Sequence, residues 1–197
     1  MRARGMLRRQ GGALMIEVLV TIVILAIGLL GLMQMQGRLQ KSEMESYQRT
    51  QALMLANDMA NRIAANRAYA DDYVTTSPLG TGVTDCGNPA NTSLTMQEVD
   101  SAEWCLALQG AAERQGSDSL GAMIGGRGCV DSVAAGSDYM VTVVWQGLTP
   151  ISAPPVLVGC GADLYDEPAG SDCADGDNAD MCRRYVTTRV RIGDLNL

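Results

Sequence analysis

The sequence predicts an α+β fold: a long N-terminal α-helix, transmembrane and then amphipathic, packed on a small antiparallel-sheet head domain. Three observations carry that expectation. Twenty uncharged residues separate Glu17 from Arg38, and no proline follows until Pro78, so an apolar helix runs on into a polar one. Two later segments, Tyr139–Gln146 and 183–192, are rich in β-branched residues, as strands are. All six cysteines fall beyond the apolar run, as crosslinks of a small head in an oxidising compartment would.

The first element is set by charge. Residues 1–12 contain Arg2, Arg4, Arg8 and Arg9 and no acid, whereas residues 13–197 carry a net charge of −11. A basic cluster ahead of an apolar run places the N-terminus in the cytoplasm and the cysteine-bearing remainder on the other side of the membrane. The acidic balance downstream argues against a nucleic-acid-binding surface. Residues 13–37 are apolar all round, enough for a spanning helix of roughly 30 Å. In residues 38–70, Leu39, Met44, Tyr47, Leu55, Met59 and Ile63 recur at helical spacing, with Ala52, Ala56, Ala60 and Ala64 on neighbouring ridges. One helix from 13 to about 67 would be on the order of 80 Å long. Gly28, Gly31 and Gly37 weaken its middle by roughly 1 kcal/mol each relative to alanine.

Residues 71–197 form the head. Asp71 to Pro89 reads as a turn-rich linker. A short helix is expected at about 101–114, with Asp100 as N-cap, Glu103 completing a capping box, Gly116 beyond its end, and Trp104, Leu108 and Ala111 facing inward. After the glycine-rich GAMIGGRG comes the strand Tyr139–Gln146. The final strand alternates, with Val186, Thr188, Val190 and Ile192 on one face. A proline- and aspartate-rich connection of about 35 residues joins the two strands. Cys86, Cys105, Cys129, Cys160, Cys173 and Cys182 form no C-x-x-C pair, which argues against a zinc ribbon or thioredoxin motif, and up to three disulfides in any of 15 connectivities are expected.

Function classes narrow by what is missing. There is no histidine, so triad catalysis and the commonest metal ligand are excluded, and no P-loop, G-x-S-x-G elbow or dinucleotide fingerprint occurs. The chain reads as a non-enzymatic structural protein without a cofactor. Asp172, Asp175, Asp177 and Asp180 lie within nine residues, an oxygen-rich cluster of the kind calcium uses, but the spacing is not that of an EF-hand and no glutamate closes the loop. A solvated acidic loop is the expectation there.

The apolar run admits a secretory signal ending near Ala26–Ile27–Gly28, a plain single-span anchor, or a processed leader. The helix continues past the first site, and an anchor leaves Glu17 at the mouth of the run without a reason. The stretch Gly12-Ala13-Leu14-Met15-Ile16-Glu17-Val18, behind its short basic leader, resembles the class III leader of type IV pilins and pseudopilins. That resemblance implies cleavage by a prepilin peptidase between Gly12 and Ala13, with Glu17 as the fifth residue afterwards. The new first residue is alanine where many pilins have phenylalanine, and Ala13 is the candidate for N-methylation. Downstream, WCLALQG, YMVTVVWQG and CRRYVTTRVRI are similar to the PilV family of type IV pilus modification proteins, which are minor pilins.

The resemblance implies a type IV pilin-like fold and a minor pilin that helps initiate pilus assembly. Its partners would be other minor pilins, the major pilin and an adhesin-like tip protein, with adhesion and twitching motility as the processes served. It would sit in the inner membrane with a periplasmic head before assembly and at the cell surface afterwards. The alternative is a minor pseudopilin of a type II secretion system, built on the same helix. In either assembly Glu17 would meet the free α-amino group of Ala13 on a neighbouring subunit, offsetting the cost of an apolar-embedded carboxylate and fixing register.

Overall fold

The computed structural model describes residues 13–110, 114–115, 118–119, 123–165, 173–174 and 180–193. The first element, α1 (Ala13–Ala65), is a single helix, and the chain divides within it into two compact units, Met1–Met44 and Glu45–Leu197. Gly28, Gly31 and Gly37 do not interrupt it. In the first unit the helix is long and apolar enough to cross a membrane, and none of its apolar window is buried. Nothing lies within 4 Å of where a β-carbon would stand at those three glycines.

Within the second unit, α1 buries Gln48, Ala52, Ala56, Met59, Ala60 and Ile63, at the three-and-four spacing of one helix face. The expected stripe is therefore right at Met59 and Ile63 and wrong at its start. Leu39, Met44 and Tyr47 are exposed, and Leu55 is half-buried. The buried ridge is rich in alanine because small side chains leave the helix backbone open to the Trp104 indole, whose Nε1 donates to the Leu55 carbonyl at 3.0 Å. A 3₁₀ helix, Arg67–Tyr73, follows α1, so Asp71 and Tyr73 belong to a helical turn and not to the linker expected to begin at Asp71.

The short helix α2 spans Met96–Leu108, starting earlier than expected. Thr95 is its N-cap: Glu98 N donates to Thr95 Oγ1 at 3.3 Å and Thr95 N donates to Glu98 Oε2 at 2.7 Å, a complete capping box. Asp100, expected as the cap, lies inside the helix and is buried. Its carboxylate accepts instead from Tyr73 and Arg62. Trp104 and Leu108 are buried as expected, and Ala111 and Gly116 lie outside the described residues.

Four strands, β1 (Leu79–Gly80), β4 (Arg127–Ala134), β5 (Asp138–Gln146) and β6 (Arg183–Arg191), make an antiparallel sheet in the order β1-β4-β5-β6. The intervening β2 (Arg114–Gln115) and β3 (Asp118–Ser119) form a separate hairpin. The two anticipated strands pair over their full length, Asp138 opposite Arg191 and Gln146 opposite Arg183. The sequence reading missed β4, which begins in the glycine-rich stretch. Gly128 is required there because Trp104 covers it: a β-carbon would fall 2.2 Å from the indole Cη2. Val130, Tyr139, Val141, Val143, Val186 and Val190 on the sheet join Ala52, Ala56, Ile63 and Trp104 in one core, which is the α+β packing of helix on sheet. The opposite face buries a smaller cluster of Cys129, Val144, Cys160 and Tyr165.

All six cysteines are paired, as Cys86–Cys105, Cys129–Cys160 and Cys173–Cys182, with Cα atoms 5.6, 5.9 and 5.6 Å apart. The first ties the loop after β1 to α2, and the second ties β4 to the long β5–β6 connection. The third closes a loop just ahead of β6.

Candidate functional site

The residues singled out for processing and assembly lie at the start of α1. Gly12 is outside the described residues, and Ala13 is the first residue of the helix. Glu17 is exposed one turn further on, and the four-residue separation puts it on the same helix face as Ala13. From Met15 to Met35 every large aliphatic side chain is exposed, and Thr21, one of the polar residues of this stretch with Glu17 and Gln34, turns its hydroxyl back onto the Val18 carbonyl at 2.8 Å. That removes its donor from the surroundings. The helix thus presents an apolar surface on every side, with one carboxylate near its start.

In the head, several ionised groups among the described residues are drawn into networks that hold the elements together. Arg62 donates from Nε to Asp58 at 2.9 Å and from Nη1 to Asp100 and Glu103 at 2.8 and 2.7 Å, joining α1 to α2. Burial acts to lower the Arg62 pKa, and the three carboxylate hydrogen bonds outweigh it, leaving the guanidinium more firmly charged than usual. Tyr73 donates to Asp100 at 2.5 Å, and its hydroxyl is pushed up to about 12 by burial and by that carboxylate. Asp71 accepts from Tyr139 Oη at 2.6 Å and Gly136 N at 3.0 Å, which holds its carboxyl below the usual range. Asp138 is likewise held low by its hydrogen bonds from Arg189.

Arg183 is the deeply buried cation. Its Nη1 donates to the carbonyls of Val158 and Cys160 at 2.7 Å each, and its Nη2 lies 3.1 Å from Asp180. Asp180 also accepts from the backbone N of Asp163 at 3.1 Å. Of the acidic cluster, Asp172, Asp175 and Asp177 are outside the described residues, and among the described residues no group of three or more ligating side chains is arranged to hold a metal ion. The sequence reading missed Arg62 and Arg183. The first had a signal: Asp58 stands four residues before Arg62 on the helix, the spacing at which a carboxylate and an arginine meet. For Arg183 two of the three partners are backbone carbonyls, which leave no trace in residue type, and the third, Asp180, stands in the sequence only as part of the acidic cluster.

No protein-family model matches the chain, and no curated protein or solved structure matches it significantly.

Proposed function

We propose that this chain is a minor pilin, made as a prepilin, cut between Gly12 and Ala13 by a prepilin peptidase, and built into a type IV pilus or its tip complex. The observation that carries the reading is the conjunction at the start of α1: a basic leader ending in glycine, then a helix on which Glu17 stands one turn in from Ala13, then an apolar surface on every side. A helix that only crossed a bilayer would gain nothing from that carboxylate, which is tolerated at the headgroup level and costs about 2.5–3.5 kcal/mol or more at the bilayer centre. In a helical assembly the same residue gains a partner, because cleavage frees a charged α-amino group at Ala13 of the next subunit. The disulfide-bonded head supplies subunit-specific contacts, and the helix serves first as an inner-membrane anchor and then as a packing stave.

The test is the N-terminus of the protein extracted from cells with and without a prepilin peptidase. The reading expects Ala13 first in the former and residues 1–12 retained in the latter; retention in both overturns it. Loss of the protein should also reduce surface pili. A block in protein secretion with pili intact would assign the chain to a type II secretion pseudopilus.

A further inference from the structure

One segment of the head is held to the rest by a single crosslink. It runs from β1 to α2, and the chain is fixed at both of its ends. Before it, Gln109 Nε2 donates to the carbonyls of Gly80 and Val83 at 3.0 and 2.8 Å. After it, Thr95 opens the capping box of α2. Between them, in residues 84–94, every hydrogen bond is local. Gly87 N donates to the Asp85 side chain, Ala90 N to that of Asn88 and Ser93 N to that of Asn91. Asn91 N and Leu94 N donate to the carbonyls of Asn88 and Asn91. Among the described residues, the Cys86–Cys105 disulfide is the one bond from this segment to another element.

That disulfide is also the accessible one. Cys86 is half-buried, and with Cys105 it lines an open groove beside α2. The other five cysteines are 6 % exposed or less, so Cys129–Cys160 and Cys173–Cys182 each have both partners buried. Exchange begins when a thiolate reaches one sulfur, and access therefore ranks the three bonds. The helix does not depend on the crosslink for its place. Arg62 holds Asp100 and Glu103 at 2.8 and 2.7 Å, Trp104 Nε1 donates to the Leu55 carbonyl, and Trp104 and Leu108 are fully buried. Opening is thus confined to a segment with no other polar tie.

We infer that Cys86–Cys105 is a redox catch, opened by a dithiol in the folded head to free residues 84–94 while α2 and the sheet stay in place. A thiolate of the dithiol attacks Cys86 Sγ. The bond to Cys105 Sγ breaks, and Cys105 leaves with the electron pair and takes up a proton. The second thiolate of the dithiol then displaces Cys86 and closes its own disulfide, so that two electrons pass to the protein. Gly87 lies over α2, where a β-carbon would stand 3.7 Å from that of Ala102, so release of the segment uncovers Ala102 and Cys105. The catch works whether or not the chain is a pilin.

The test uses the full chain in detergent micelles, treated with dithiothreitol below the onset of thermal unfolding, then quenched in acid, unfolded and alkylated with N-ethylmaleimide. Cys86 and Cys105 should be labelled together, at a rate about tenfold or more above the other four cysteines. Hydrogen exchange of the singly reduced protein should rise across 84–94 and stay unchanged in α2 and the sheet. Earlier labelling of either other pair, labelling of all six together, no labelling, or faster exchange spreading into α2 or the sheet overturns the inference. The double change Cys86→Ser with Cys105→Ser makes the open state permanent. It should keep the near-ultraviolet tryptophan bands and show the raised exchange at 84–94; loss of those bands, or wild-type exchange at 84–94, also overturns it.

Discussion

Gly128→Ala adds one carbon where the head has no room for it. The new β-carbon would stand 2.2 Å from Cη2 of Trp104 and 2.7 and 2.8 Å from Cζ2 and Cζ3. To reach ordinary contact at 3.4 Å the indole must retreat by about 1.2 Å. It has nowhere to go, since the ring is fully buried in the main core and its Nε1 is committed to the Leu55 carbonyl. Overpacking a filled core costs about 1–3 kcal/mol, and leaving the indole N–H buried without its acceptor adds about 1–3 kcal/mol. Against this, alanine gains about 0.4–1 kcal/mol by stiffening the unfolded chain. The net is a loss of about 3 kcal/mol, or roughly 6–12 °C in Tm for a unit of this size.

The assay is thermal unfolding of the full chain in detergent, followed by the near-ultraviolet circular dichroism of its two tryptophans. Gly159→Ala serves as comparator, because no atom lies within 4 Å of that β-carbon, and its melting temperature should equal wild type or exceed it by about 1–4 °C through the same stiffening. The Trp104→Leu change should cost less in the Gly128→Ala background than alone, since the smaller side chain relieves the clash. A Gly128→Ala protein melting within about 2 °C of wild type would refute the packing argument.

Arg62→Met should destabilise the head by about 1–3 kcal/mol, discounted for partial exposure, by leaving Asp100 and Glu103 without their shared cation; Arg62→Lys, a point charge, should recover only part of the melting temperature. Asp71, Glu98 and Asp138 all have folded-state pKa values below the ordinary carboxylate range, so the stability they add is present above about pH 4 and lost as pH falls through their folded values. Melting temperature against pH should therefore drop on the acid side, and Asp71→Asn should flatten that limb; an unchanged limb contradicts the assignment. Alkylation without reduction should label no cysteine, and removing Cys129–Cys160 (separation 31) should cost more than removing Cys173–Cys182 (separation 9), at about 3–4 against 2–3 kcal/mol. On the proposed function, Glu17→Ala should be inserted and cleaved yet depleted from sheared surface pili, with Glu17→Lys depleted further; equal recovery of Glu17→Ala and wild type would remove the carboxylate from assembly.

What could be read from the chain depended on whether the signal was local. The apolar run, the β5 and β6 strands and the redox class of the cysteines were legible because each rests on neighbours in sequence. The start of α2 was not. Thr95-Met96-Gln97-Glu98 and Asp100-Ser101-Ala102-Glu103 both carry a capping-box pattern. The choice between them is made from a distance, by Arg62 and Tyr73 drawing Asp100 into a buried network. β4 was hidden for a related reason: Gly128 reads as a turn residue in sequence, and only the Trp104 ring lying on it explains a glycine inside a strand. The alanine ridge on α1 is a weaker signal than leucine or methionine in sequence, because each alanine buries little apolar area, although it forms the buried seam.

The apolar half of α1 poses the opposite case, where composition is plain and direction is lacking. A helix that is apolar on every side fits lipid and fits other apolar helices about equally well, because the hydrophobic effect does not distinguish the two. Such a surface cannot by itself set how far one helix slides along another. Glu17 is the one ionisable residue between Ala13 and Gly37. If subunits leave the bilayer for a filament in a defined register, as the proposed function requires, the carboxylate is the group able to tell one stagger from the next. Most staggers along the apolar run leave it among aliphatic side chains, where an unpaired charge is costly, and one brings it to the amino terminus of a neighbour.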